Sequence, residues 1–220
     1  MEIRLLAIDE PTYPDGSDIA YFMLAIEESV SDYDVIVAPE AAFSTKPVLP
    51  KEGKDRLVER IRGASEGSST LVLPGTFLWK DNGQLYNSSP IVSDGRVLKE
   101  YFKETTDRQD QYVADTEGLV HITGNNQGGA DWNGINVGVE ICRDHGMGRL
   151  KRWIENFGMR KPVDLHVVLS RGIYYHPPHD MSGEQGSFVL CDGVNGSSDV
   201  RRNSRLLQGE HTFFGTRYRL

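Results

Sequence analysis

Residues 35–38, Val-Ile-Val-Ala between Asp34 and Pro39-Glu40, constrain the fold more than any other stretch of this 220-residue chain. Four apolar residues in a row are too few for a helix. As a strand they need apolar cover on both faces, which is the situation of a strand inside an α/β sheet. The neighbouring sequence supplies that cover. A strand is expected over 3–8, and residues 18–30 carry Ile19, Phe22, Met23 and Ile26 at helical spacing, with Gly16, Ser17 and Asp18 placed to cap that helix. A second helix over 54–64, with Leu57, Val58 and Ile61 turned inward, leads to a strand over 70–73 that stops at Pro74-Gly75. Two β-α-β units in succession predict an α/β fold.

From Thr76 the apolar period shortens to two. Strands are expected over 77–79, 85–92 and 96–102, joined by the turns Asp81-Asn82-Gly83 and Ser93-Asp94-Gly95, so antiparallel hairpins extend the sheet. Residues 107–115 read as a loop or short helix, 119–122 as a strand, and the Gly- and Asn-rich 124–131 as a surface loop. A strand over 135–141, a helix over 150–157, a strand over 165–170, an irregular segment over 171–186 and a strand over 188–191 follow. Beyond 194 only 212–214 and 218–220 suggest extension, and residues from about 195 to 220 are expected to form an irregular tail. No repeat, linker or low-complexity segment divides the chain, so one domain spanning 1–220 is expected.

Charge and cysteine usage narrow the function. With 32 acidic against 24 basic residues, a nucleic acid or an anionic membrane is a poor partner. No apolar stretch reaches membrane-spanning length, and Met1-Glu-Ile-Arg enters the first strand without the regions of a signal peptide, so a cytoplasmic location is expected. The two cysteines, Cys142 and Cys191, lie too far apart for a disulfide framework and lack metal-site spacing. Reduced thiols follow.

Cys142 stands where the apolar run 135–141 stops and a polar, glycine-containing segment begins. A side chain at such an elbow projects from the sheet edge, and the next backbone N–H groups, Arg143 first, point at whatever the sulfur attacks. A lone cysteine is more often a small buried hydrophobe, and Cys191, at the end of 188–191, reads that way. What sets Cys142 apart lies upstream: Glu40 follows the run 35–38 and Lys103 closes 96–102. Three strands ending in Glu, Lys and Cys resemble the nitrilase (carbon-nitrogen hydrolase) superfamily. The likeness covers roughly 3–191 and is carried by Pro39-Glu40, by Asn87, Gly95 and Tyr101-x-Lys103, and most specifically by Gly138-Val-Glu-Ile-Cys-Arg-Asp144.

That resemblance implies a two-sheet sandwich flanked by helices, α-β-β-α, completed to more layers by a second copy of the chain. It implies catalysis by Glu40, Lys103 and Cys142, with no cofactor and no metal. Glu117, seven residues before Gly124, matches the family's second glutamate and would orient Lys103 or the substrate; Asp110 is the alternative. The Arg143 backbone N–H would stabilise an oxyanion. Asp144, His145, Arg171 and Tyr174, with Tyr175 beside it, are candidates for substrate binding. The reaction implied is hydrolysis of a small amide through a cysteine thioester. Nitrile or carbamoyl hydrolysis, acyl or amidino transfer to an amine, and a non-catalytic binding protein on the same scaffold are the alternatives. The chain departs from the family pattern at Glu104-Thr-Thr, where a His-Leu pair is common, and at His145-Gly-Met-Gly-Arg149. The family's final Gly-x-Ser hairpin is not recognisable after Asn195.

Two further groups draw attention. His176, His179 and Asp180 could be metal ligands, but a proline-stiffened pocket wall is the preferred reading. Arg201, Arg202 and Arg205 suggest phosphate, yet in an acidic chain a solvated tail is the better assignment.

Overall fold

The computed structural model describes residues 1–6, 17–125, 128–156, 162–193, 198–212 and 215–220. Of the expected cap residues, Gly16 lies outside what is described, and Ser17 and Asp18 already belong to the first helix. The elements are β1 (Glu2–Leu5), α1 (Ser17–Ser29), β2 (Val35–Val37), β3 (Leu49–Pro50), α2 (Lys51–Ser65), β4 (Leu71–Leu73), β5 (Phe77–Asp81), β6 (Gln84–Ser93) and β7 (Arg96–Phe102). They continue with α3 (Arg108–Glu117), β8 (Val120–His121), β9 (Gly129–Trp132), β10 (Ile135–Ile141), α4 (Arg143–Gly146), α5 (Arg149–Asn156), β11 (Leu165–Ser170) and β12 (Ser187–Asp192). Four short strands close the chain: β13 (Asp199–Arg202), β14 (Arg205–Leu206), β15 (Glu210–Thr212) and β16 (Gly215–Arg219).

The strands form two sheets. The first runs β15-β16-β1-β2-β4-β6-β5-β3, with β7 and β8 also on β6, and the second runs β14-β13-β12-β11-β10-β9. The centre of each is parallel, β1-β2-β4 in one and β10-β11-β12 in the other, and hairpins extend both. Side-chain alternation explains why the central strands read as unbroken apolar runs. Val35, Val37, Leu71 and Leu73 point between the sheets and meet Val139, Ile141, Val167 and Leu169, whereas Ile36 and Val72 point the other way, into the layer of Phe22, Met23, Ile26 and Ile61 on α1 and α2. Both faces of each strand are thus dry. On the outer face of the second sheet, α5 lays Leu150 over Gly138, where a Cβ would come within 2.6 Å of the leucine methyl. That glycine sets how closely helix and sheet approach.

The C-terminal region differs from expectation. Residues 199–219 hold four strands, and β16 pairs antiparallel with β1, Ile3 opposite Tyr218. These strands are too short, and too rich in arginine and glycine, for periodicity to mark them; long-range pairing makes them. Within 124–131, β9 begins at Gly129 and pairs with β10.

Candidate active site

Three strand ends converge. β2 runs through Ala38 and Pro39 to Glu40, whose backbone N–H reaches across to Ser170 O on the second sheet at 3.3 Å. Gly75, at φ +86°, lies so close beneath that a Cβ would sit 2.3 Å from Pro39 O. β7 delivers Lys103, and the Lys103 N–H is fixed on Asn87 O at 2.9 Å. β10 delivers Cys142, whose N–H still donates to Leu169 O at 2.8 Å while its own φ and ψ, 44° and −106°, leave the ordinary regions. Such backbone costs on the order of 1–3 kcal/mol and persists only where neighbours enforce it.

The enforcement is visible on both sides of the elbow. Asp144 is fully buried, and its two oxygens accept from the Tyr101 hydroxyl at 3.0 Å, the Glu104 N–H at 2.9 Å and the Thr105 hydroxyl at 2.7 Å, tying α4 to the end of β7. Burial outweighs these bonds and pushes the Asp144 carboxyl up to about 6. On the opposite side, Glu140 accepts from His145 Nδ1 at 2.8 Å, His166 Nε2 at 3.0 Å and the Leu150 N–H at 2.8 Å. Burial alone would raise Glu140, but the two imidazoles hold it down at about 2. His176 N–H faces His145 Nε2 at 3.4 Å and Met181 N–H faces His166 Nδ1 at 3.2 Å, which points the protons of the near nitrogens at Glu140. Burial alone would lower the His166 imidazole, but Asp180, 3.8 Å from His166 Nδ1, and Glu140 outweigh it and raise it. The cluster is a proton-bearing clamp, although its ligand atoms lie within 4.8 Å of one another as a metal would need.

Between these clamps lie Glu40, Lys103 and Cys142. Lys103 Nζ is 2.7 Å from Glu40 Oε1, 2.5 Å from Asp107 Oδ2 and 2.9 Å from Asp110 Oδ2. The first two are aligned hydrogen bonds; Asp110 Oδ2 is near enough for an ion pair but lies off the hydrogen-bond direction, and it has no such partner among the described residues. Burial favours a neutral lysine, yet three carboxylates outweigh it and Lys103 stays an ammonium. Glu40 is raised, chiefly by burial and partly offset by Lys103, whereas Asp107, despite burial, is lowered by Lys103. The Cys142 sulfur lies within 4.8 Å of carboxylate oxygens of Glu40 and Asp107, and the Arg171 backbone N–H donates to it. Burial first and the facing Glu40 second hold the thiol protonated.

The arrangement sorts the expected residues. Glu40, Lys103 and Cys142 come together, and the Arg143 N–H follows the sulfur at the start of α4. Glu117 does not reach Lys103. It ends α3, where Lys80 Nζ at 2.7 Å and the Val48 N–H at 3.0 Å hold its carboxylate, while Asp110, in the first turn of the same helix, is the acid at the lysine. Seven helical residues separate the two by about 10 Å. Asp144 and His145 are fully buried, with the Asp144 oxygens engaged by Tyr101, Glu104 and Thr105 and His145 by Glu140. Tyr174 is 76% exposed, and Tyr175 packs on Phe188, donates to Asp180 at 3.0 Å and carries Arg201 over its ring. Arg171 contributes its backbone N–H. His176 and His179 stack on each other and meet His145 edge-on, and Asp180 accepts from Tyr175 and Ser182 and faces His166 Nδ1 at 3.8 Å. Asp107 is the residue sequence reading missed. Its signal was a cap: the side chain accepts from the N–H groups of Gln109 and Asp110, both at 2.9 Å, to start α3.

No protein-family model matches the chain, and no curated protein matches it in sequence. Solved structures do match in shape. A variant of the amidase from Nesterenkonia sp. AN1, carrying acrylamide added at its active-site cysteine, superposes with a TM-score of 0.72 at 14% identity, covering 100% of this chain and 93% of the amidase. A cysteine variant of that amidase in complex with butyramide gives 0.70 at 14%, covering 99% and 89%. Nit3 of Saccharomyces cerevisiae, a member of branch 10 of the nitrilase superfamily, gives 0.66 at 18%, covering 99% and 88%. Two sheets, flanking helices and convergent strand ends give this chain the same fold as the Nesterenkonia amidase and Nit3.

Proposed function

We propose that this protein hydrolyses a small amide through a thioester on Cys142. The observation that carries the reading is the meeting of three strand ends at one point, with the Cys142 sulfur against the Glu40 carboxylate and the Lys103 ammonium 2.7 Å from that same carboxylate. Because the thiol rests protonated, it must lose its proton as it attacks, and of the two carboxylates near the sulfur Glu40, raised by burial where Asp107 is lowered by Lys103, is the better acceptor. As the carbonyl becomes tetrahedral, its oxygen gains charge that the Lys103 ammonium and the Arg143 N–H stabilise. Glu40 then gives the proton to the departing amine. Water deprotonated by Glu40 attacks the thioester, the C–S bond breaks, and the thiol regains its proton.

Asp107 and Asp110 have a part in this cycle. When Glu40 is neutral, Lys103 would lose one of its three counter-ions; the two aspartates keep it charged through both half-reactions. The small amides held by the Nesterenkonia amidase support the substrate class. Intact mass spectrometry with a panel of short primary amides tests the reading. A substrate-sized mass increase on the wild type, absent from Cys142→Ala, is expected. No increase with any amide, or one that survives the alanine change, would overturn it.

A further inference from the structure

Asn87 touches two of the three converging residues at once. Its backbone carbonyl takes the Lys103 N–H at 2.9 Å, and its side-chain Nδ2 donates to Glu40 Oε1 at 3.2 Å and to Asp110 Oδ1 at 3.1 Å. Both side-chain partners are carboxylates, which accept, so the nitrogen of the amide and not its oxygen faces them. The residue is held firmly: it lies in β6, paired to β5 on one side and β7 on the other, and is 4% exposed. Its own amide oxygen has no hydrogen-bond partner among the described residues. A buried carbonyl left unpaired is unfavourable, and such a group calls for a reason outside stability.

The reason lies in Glu40. Its Oε1 already receives the Lys103 ammonium at 2.7 Å, and with Asn87 both in-plane lone pairs of that oxygen are taken. Oε2 is left as the oxygen that exchanges a proton. Lys103 alone does not fix this choice, because an ammonium is a point charge with rotatable donors that follows either oxygen. Room for the wrong choice exists. A cavity of about 130 Å³ lies behind Glu40, Asn87 and Asp110 and is lined by neither Cys142 nor Lys103, so a carboxylate swung into it would leave the sulfur. Asn87 closes a ring that runs to Glu40, Lys103 and Asp110 and back, and its planar amide sets the angle. We infer that Asn87 is a positioning residue of the acid–base step: by holding Glu40 Oε1 it keeps Oε2 on the sulfur and on the departing nitrogen. The inference rests on the thioester reading and adds to it the group that aims its base. The proton passes from the sulfur to Oε2 as the C–S bond forms and from Oε2 to the amine as the C–N bond breaks; Asn87 exchanges nothing.

Asn87→Leu tests this, because it keeps the size and removes both N–H groups. The charged and titratable groups that face Glu40, which are Lys103 from β7, Asp107 and Asp110 from the start of α3 and Cys142 from β10, are all retained. Steady-state kinetics on a short primary amide should give a kcat about tenfold or more below wild type with KM within about twofold, since Asn87 touches no substrate. The lost N–H favoured the ionised carboxylate, so the acid limb of kcat/KM against pH should also move up, by about half a unit to one unit. Asn87→Ala makes the same comparison should the leucine chain fold poorly. An unchanged kcat, a loss carried by KM, or a fall in kcat with the acid limb unmoved overturns the inference and makes Asn87 a brace for β6. Intact mass of the wild type keeps these outcomes apart from the thioester reading: an acyl-enzyme on Cys142 leaves that reading standing, and its absence overturns both.

Discussion

Lys103 holds three carboxylates together, and that changes what its replacement would do. Lys103→Met keeps most of the side-chain volume and removes the charge, and losing a transition-state donor costs on the order of a hundredfold to a thousandfold in turnover. In the structure it also strips Glu40, Asp107 and Asp110 of their shared cation. Removing one member of a buried ion cluster costs about 3–5 kcal/mol, so thermal melting should show clear destabilisation, and adding Asp110→Asn should return part of it. A melting point equal to wild type would mean the carboxylates do not depend on the lysine. The sulfur gives an opposite expectation. Glu40 facing Cys142 raises the thiol, so Glu40→Gln should lose turnover yet alkylate faster with iodoacetamide at pH 7, because more thiolate is present. Slower alkylation would remove Glu40 from the sulfur's surroundings. Cys191, fully buried in the inter-sheet core, should react only after unfolding.

Elements carry the site through what lies behind them. Glu140 joins β10 to α4, α5 and β11, and its depressed pKa gives a pH signature. A carboxyl at about 2 when folded against 4.5 when unfolded contributes on the order of 3 kcal/mol above pH 4.5, and that contribution fades as pH falls toward 2. Urea denaturation should therefore find Glu140→Gln weaker than wild type at pH 7 by roughly this amount, with the gap narrowing below pH 4.5. A gap independent of pH would show that shape, not charge, is what Glu140 supplies. This clamp was hidden in the sequence, where Glu140 reads as one polar residue in an apolar strand and His145 as a pocket residue. Strand and helix positions were legible because they depend on local periodicity: β7 and β11 match their expected spans, and Glu40, Lys103 and Cys142 were marked by standing at strand ends. Partners across 26 residues, such as His166 for Glu140, leave no local trace. The acid beside Lys103 was ambiguous for a related reason. Family spacing pointed to Glu117, whereas α3, begun by its Asp107 cap, turns Asp110 inward instead.

At the scale of the molecule, β16 seals the edge of β1. Tyr218 and Leu220 pack into the inter-sheet core, and Leu220 N–H donates to Met1 O at 3.0 Å. Deleting residues 209–220 would forfeit about 3 kcal/mol of apolar burial. Melting should then fall by roughly 6–12 °C for a chain of this size. Unchanged melting would make the last hairpin an ornament of the sheet. The pairing also fixes an order of assembly. As the chain is synthesised, β1 emerges first and can pair with β2 early, but its other edge stays bare until residues 215–219 arrive, some two hundred residues later. An open edge invites pairing with a neighbouring chain. The exposure lasts while some two hundred intervening residues are made, so the ribosome's pace, and any chaperone covering that edge, would decide how much of this protein reaches the folded state.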